Sequence, residues 1–121
     1  MKRTVTNEDI QEFAKVSGDF NPIHIDAEYA QKSIFKKQIA HGILSAAYIS
    51  AIIGTEFPGI GTIYLEQNLK FLKPIYLGDT IELSVIIKDI RDKGRALLQT
   101  NVKNSNGELV VEGEALVKLP R

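Results

Sequence analysis

The sequence predicts an α+β fold in which a curved antiparallel β-sheet wraps one long central helix. Three observations lead to this prediction. Apolar residues recur with helical spacing in the first half, alternate with polar residues in the second half, and occupy every side of a central segment, residues 41–54. A helix with no polar face is typical of one that is covered all round. A sheet with one apolar face can supply that cover.

The first helix is predicted over residues 7–17. Thr6 stands at the N-cap position and Asp9 follows three residues later, which is the spacing of a capping box. Gly18 is predicted to end the helix. Helical spacing on one side is shown by Ile10, Phe13 and Ala14.

Residues 19–26 are predicted to form a shaped loop without regular structure. Pro22 lacks an N–H and disfavours a helical conformation at Asn21. A short helix is predicted over residues 27–33, before the long apolar helix of residues 41–54.

The second half is predicted to form at least four antiparallel strands. Turn residues separate them, with hairpin signals at residues 92–94 and 106–107. The residues predicted to face inward are Ile63, Leu65, Leu69, Phe71, Ile81, Leu83, Val85, Ile87, Ala96, Leu98, Thr100, Val102, Leu109, Val111, Ala115, Val117 and Leu119. Because the edges and outer face of such a sheet need shielding, we expect a homodimer.

Composition excludes several classes of function. The 121 residues carry 15 Lys and Arg against 15 Asp and Glu, so a dedicated nucleic-acid or anionic-membrane binder is not expected. The absence of cysteine excludes disulfides, thiolate metal sites and cysteine nucleophiles. The longest apolar stretch, residues 43–53, is too short to span a bilayer. We expect one cytoplasmic domain over residues 1–121.

Asp19 and His24 are the first candidates for chemistry. A carboxylate and an imidazole that converge on one point can share a water molecule, activate it as a nucleophile and return a proton. Pro22, between them, restricts the freedom of the loop. The alternative is that Asp19 and Asn21 make side-chain turns and that His24 is a structural histidine.

Gly42 and Ser50 are candidates on the long apolar segment. Free backbone N–H groups at a helix start can bind a carbonyl oxygen that gains negative charge, and Gly42 lies at that point. The alternative is that Gly42 only permits close packing while His41 caps the helix. For Ser50 the alternative is a hydrogen bond to a carbonyl one turn earlier.

A metal site remains a weaker hypothesis. Asp19, His24, Asp26 and His41 are suitable ligand types, but their spacing is not diagnostic of any metal site.

Two segments together resemble a known family. Residues 17–26, SGDFNPIHID, resemble the hydratase 2 motif of the MaoC-like (R)-specific enoyl-CoA hydratases, and residues 39–44, IAHGIL, resemble its downstream match. The resemblance covers about residues 6–120. Its further matches are Tyr64, Leu65, Phe71, Lys73, Pro74, Ile75, Gly78 and Asp79.

The resemblance implies a hot dog fold and a dimer with its sites near the subunit interface. It further implies that Asp19 and His24 hold the water that adds to a trans-2-enoyl thioester, giving an (R)-3-hydroxyacyl thioester. Asn21 would shape the motif loop, and Gly42 would supply its backbone N–H to the thioester carbonyl. Ser50 matches a serine near the catalytic pair of the family. No metal or redox cofactor is implied, and coenzyme A is the substrate carrier.

Three other functions remain compatible with the resemblance. A dehydratase acting on acyl-carrier-protein thioesters would use the same pair in the reverse direction. Thioester hydrolysis and non-catalytic acyl-CoA binding are the others, although binding alone requires neither Asp19 nor His24. The chain departs from many relatives at its start, where residues 2–5 are expected to form only a shortened strand.

Overall fold

The computed structural model describes residues 1–121 and contains one five-stranded antiparallel sheet. The order of the strands across the sheet is β1-β3-β4-β5-β2. The strands are β1 (Lys2–Thr4), β2 (Ile63–Phe71), β3 (Thr80–Arg91), β4 (Arg95–Lys103) and β5 (Leu109–Lys118). The helices are α1 (Asn7–Ser17), α2 (Pro22–Ile25), α3 (Ala27–Gln31) and α4 (Leu44–Thr55).

The prediction for α1 is confirmed at both ends. The hydroxyl of Thr6 accepts a hydrogen bond from the backbone N–H of Asp9 at 3.1 Å. The Asp9 carboxylate is not turned back to the cap but accepts from the Tyr48 hydroxyl at 2.7 Å, which ties α1 to α4. Gly18 ends α1 with a φ of 82°, in the left-handed region that favours glycine.

The prediction that residues 19–26 lack regular structure is wrong for Pro22–Ile25, which form α2. Proline is tolerated in the first turn of a helix because the N–H that it lacks would have no partner there. Asn21 caps this helix, its side-chain oxygen accepting from the Ile23 N–H at 3.2 Å. The side-chain turn that the sequence allowed at Asn21 is therefore the N-terminal cap of α2.

Helix α4 begins at Leu44, three residues later than predicted. Residues 41–43 form a tight turn, because the N–H groups of Leu44, Ser45 and Ala46 donate to carbonyls three residues earlier at 3.0 to 3.1 Å. Gly42 therefore lies in the turn that leads into the helix. Helix α4 has 12 residues, and no helix is long and apolar enough to cross a membrane.

The sheet and α4 share one hydrophobic core. The predicted inward face of β4 is confirmed, since Ala96, Leu98, Thr100 and Val102 are all buried. These residues join a cluster that includes the α4 side chains Ile49 and Ile53, together with residues of β3 and β5. The hot dog arrangement, a helix packed in the curve of an antiparallel sheet, is confirmed. The shortened strand at the N-terminus is β1, which pairs with β3.

The predicted inward face of β2 is wrong at Ile63 and Leu65 and at Phe71, which is exposed at the end of the strand. A β-bulge between Tyr64 and Glu66 leaves Leu65 unpaired and shifts the alternation by one residue. As a result Tyr64 packs against the core, whereas Ile63 and Leu65 are exposed. Leu69, beyond the bulge, packs against the core as predicted.

Helix α4 is not covered on every side within one chain. Its buried residues include Leu44, Tyr48 and Ile52, but Ala47 and Ser50 are exposed. The side of α4 that packs on the sheet carries large apolar residues. The opposite side carries mostly small residues and is exposed in the single chain.

Candidate active site

The candidate site is a cavity of about 540 Å³ that lies between the α1–α2 loop, the turn before α4 and the end of β2. Its polar end is formed by Asp19, His24 and His41, with the backbone of Gly42. The remainder is mainly apolar, and its lining residues are Phe35, Ile39, Ala40, Ile43, Phe71, Leu72, Lys73, Pro74, Ile75 and Val111. Such a cavity suits a ligand with one reactive polar group and an apolar tail.

Asp19 is held at the mouth of the cavity by local turns. Its backbone N–H donates to the hydroxyl of Ser17 at 3.1 Å, and its carboxylate accepts from the backbone N–H of Asn21 at 3.2 Å. The carboxylate is exposed and lines the cavity. The side-chain turns that the sequence allowed as an alternative are therefore present, and they orient the carboxylate that the functional interpretation requires.

His24 lies on α2 and is only 8% exposed. Its Nδ1 is 2.7 Å from the carbonyl oxygen of Ile39. Because a carbonyl only accepts, Nδ1 carries the hydrogen and Nε2 retains the lone pair. Burial lowers the pKa of His24, while the hydrogen bond to Ile39 and the charge of Asp19 oppose that shift. The imidazole is consequently a neutral acceptor at neutral pH.

A short extended link holds α2 in place. Gln38 donates its side-chain amide to the His24 carbonyl at 2.7 Å, and the Ile39 N–H donates to the Ile23 carbonyl at 3.3 Å. The next residue, Ala40, donates its N–H to Ile75 at 2.7 Å. These bonds tie α2, which carries His24, to the connection between β2 and β3.

Gly42 satisfies both interpretations of its position. Its backbone N–H donates to no acceptor within the chain, so it is free to bind a ligand in the cavity that it lines. The Phe71 ring also packs closely on it, since a β-carbon added to Gly42 would lie 2.9 Å from that ring. A side chain at this position would press on the Phe71 ring, whereas glycine leaves that ring in place beside the unpaired N–H.

His41 is the site residue whose role the sequence did not reveal. It does not cap α4; its ring is 2% exposed and its Nε2 lies 2.9 Å from the backbone carbonyl of Asp19. Its ring stacks on that of His24, with centroids 4.0 Å apart and planes tilted by 30°. The signal available in the sequence was that only two histidines exist and that both fall in motif segments.

The metal hypothesis fits this arrangement less well. Ligand atoms of Asp19, His24 and His41 lie within 4.8 Å of one another, but Asp26 is committed to capping α3 through hydrogen bonds of 3.0 and 3.2 Å. Two imidazoles that bind one ion direct their ring edges at it, whereas these two rings pack against each other with their planes tilted by 30°.

Two predicted site residues lie outside the cavity lining. Asn21 is exposed, and its side-chain oxygen caps α2 by accepting a hydrogen bond from the Ile23 N–H. Ser50 is exposed on the open side of α4. Within a single chain the structure brings together Asp19, His24 and Gly42 and leaves Ser50 apart from them.

Comparisons with known proteins extend over most of this chain. The family described as MaoC like domain matches residues 1–108. An (R)-specific enoyl-CoA hydratase of Rhodospirillum rubrum is 41% identical over 120 residues, which are 99% of this chain and 83% of that protein. A mitochondrial 3-hydroxyacyl-[acyl-carrier-protein] dehydratase of Arabidopsis thaliana is 36% identical, over 98% of this chain and 72% of that protein.

Solved structures give the same result. The unliganded R-hydratase PhaJ1 of Pseudomonas aeruginosa superposes with a TM-score of 0.97 and is 45% identical, covering 100% of this chain and 78% of its own. The match includes the sheet, α4 and the loop that carries Asp19. On fold and sequence together, the chain belongs to the MaoC-like domain family.

Proposed function

We propose that this chain is an (R)-specific enoyl-CoA hydratase, which adds water reversibly to trans-2-enoyl-CoA. The observation that carries the proposal is the polar end of the cavity, where the exposed carboxylate of Asp19 and the lone-pair Nε2 of His24 line an otherwise mainly apolar cavity. The relative from Rhodospirillum rubrum bears this name at 41% identity. We propose that residues 1–121 act as one domain.

The proposed reaction proceeds by acid–base chemistry. The Gly42 N–H polarises the thioester carbonyl, which makes C3 of the enoyl group electrophilic. Water held by Asp19 and His24 forms a bond to C3, the C2–C3 π electrons move to C2, and a proton that the pair takes from water is delivered there. The product is the (R)-3-hydroxyacyl thioester. Since no net oxidation or reduction occurs, the step needs no redox cofactor.

We further propose that the active unit is a homodimer. Strand β2 is an edge strand with Ile63 and Leu65 exposed, and the open side of α4 exposes Ala47 and Ser50. A second copy seated on this surface would shield the edge of the sheet and cover α4. Ser50 would then contribute to a site only through such an interface.

A dehydratase of acyl-carrier-protein thioesters is the second candidate. The Arabidopsis relative supports it, and the same pair would remove water from the 3-hydroxyacyl group. The two functions are distinguished by the group that carries the acyl chain, which is coenzyme A for the hydratase and acyl-carrier protein for the dehydratase. The enzyme is expected to act on crotonyl-CoA with a kcat/KM at least as high as on crotonyl-acyl-carrier protein, and a strong preference for the protein carrier would favour the second function.

Incubation with crotonyl-CoA tests the proposed function. We expect the enoyl absorbance to fall without release of free thiol, because water adds to C3 and the thioester bond is retained. Thiol release at the same rate would identify a thioesterase. Binding of crotonyl-CoA with neither change would identify a non-catalytic acyl-CoA-binding protein.

A further inference from the structure

We propose that His41 is a positioning residue that fixes Asp19 and His24 relative to each other. This role rests on the hydration proposed above. His41 is buried, lies directly before Gly42, and contacts both members of the pair. His41 therefore links Asp19 and His24, which hold the water, to Gly42, whose N–H donates to the thioester carbonyl.

The hydrogen bond to Asp19 is the first part of this role. The Nε2–H of His41 donates to the Asp19 carbonyl across 22 residues of sequence. The other hydrogen bonds of Asp19 join it to Ser17 and Asn21, both only two residues away. Without the bond from His41, Asp19 would belong to a local turn that has no hydrogen bond to the core.

The ring contact is the second part. The His41 imidazole contacts two rings: that of His24, at a centroid distance of 4.0 Å, and that of Phe13 on α1, which meets it edge-on at 4.9 Å. These contacts restrict the movement of the His41 ring against which His24 packs. The hydrogen bonds also assign opposite tautomers, since His24 carries its hydrogen on Nδ1 and His41 on Nε2.

The tautomers can be measured without any assay of activity. In protein labelled with ¹⁵N-histidine, the chain gives signals from only two imidazoles, and His41→Gln removes one set. We expect His24 to be protonated at Nδ1 and His41 at Nε2 at neutral pH. A His41 that carries its hydrogen on Nδ1 would overturn the proposal, because it could not donate to Asp19.

Two variants that differ by one methylene test the positioning effect. His41→Gln keeps an N–H near the place of Nε2, whereas His41→Asn is too short to reach the Asp19 carbonyl. We expect kcat to fall roughly tenfold to a hundredfold in His41→Asn with little change in KM, and to stay within about threefold of the wild type in His41→Gln. Thermal unfolding verifies that both variants are folded.

The outcomes separate this proposal from the proposed function. Equal losses of kcat in the two folded variants, or none in His41→Asn, would contradict the positioning role. A wild-type protein that does not hydrate crotonyl-CoA would contradict the function and leave the tautomer measurement to decide whether His41 supports Asp19. If neither variant folds, the contact of His41 with the Phe13 ring assigns the two imidazoles of the wild type, and the tautomer measurement still decides.

Discussion

His24 combines burial with a fixed tautomer, and together these make it a proton acceptor at neutral pH. Its Nδ1–H is committed to the Ile39 carbonyl, so Nε2 is the nitrogen left for water. Burial disfavours the charged imidazolium and lowers the pKa of His24 from its ordinary value of 6.5. In the proposed reaction, Nε2 of His24 is therefore the atom that accepts the proton from water.

This environment predicts the pH dependence of the reaction. Because only the neutral imidazole offers a lone pair, kcat/KM is expected to fall as the pH drops through the pKa of His24, at a midpoint below 6.5. Titration of the His24 imidazole by NMR should give the same midpoint as the rate. An acidic limb centred above 6.5 would contradict this account of the site.

Candidate site residues could be predicted from the sequence where they lie close together along the chain. Asp19 and His24 are five residues apart, so a motif could identify them, as it did Gly42. The contact between His41 and Asp19 joins positions 22 residues apart and requires the fold to form. No local pattern distinguishes such a histidine from a helix cap.

Among the elements, the turn before α4 and the end of β2 pack against each other at the wall of the cavity. Gly42 in this turn and Phe71 at the end of β2 pack closely enough that a methyl group added at Gly42 would meet the ring at 2.9 Å. The ring must then move within the cavity that both residues line. The turn and the strand therefore act as one unit.

Gly42→Ala tests this unit. We expect a folded protein whose kcat/KM for crotonyl-CoA is reduced by about tenfold to a hundredfold, because a displacement near 1 Å misplaces the substrate. Phe71→Leu in the same chain should restore part of the loss by making room for the methyl group. The control is Gly54→Ala in α4, where a β-carbon meets nothing within 4 Å and the rate should not change.

The elements differ in how far sequence patterns could define them. The capping residues were sufficient to predict the ends of α1, and the alternation was sufficient to predict the inward face of β4, because both signals are local. The bulge in β2 was not predicted, since it depends on pairing with β5. The start of α4 was misplaced because an apolar pattern cannot distinguish a tight turn from the first turn of a helix.

At the scale of the whole molecule, one side of α4 and the edge strand β2 have no cover within a single chain. The long apolar segment has no polar side because, in the dimer that we propose, a second copy covers the side of α4 that the sheet does not. Ala47 and Ser50 on α4 and Ile63 and Leu65 on β2 are exposed, and we propose that the second copy covers both elements. The fold class followed from periodicity. The partner could only be inferred, because a sequence pattern does not say which chain supplies the cover.

Ala47→Glu tests the dimer. A charged side chain on this side of α4 should be tolerated by the single chain but not at an apolar interface, so light scattering should give a monomer mass at micromolar concentration. The control is Ile86→Glu on β3, since β4 and β5 lie between β3 and β2 in the sheet. A monomeric wild type at the same concentration would contradict the proposal.

The most direct test of the central claim, that Asp19 and His24 activate the water that adds to C3, is the rate of crotonyl-CoA hydration by Asp19→Asn beside Asp26→Asn. Asparagine preserves the turn and the cap at the two positions but cannot accept a proton. We expect Asp19→Asn to lose roughly a hundredfold or more in kcat. Asp26→Asn, whose side chain caps α3, should retain the wild-type rate. A folded Asp19→Asn protein with near-normal activity would contradict the account.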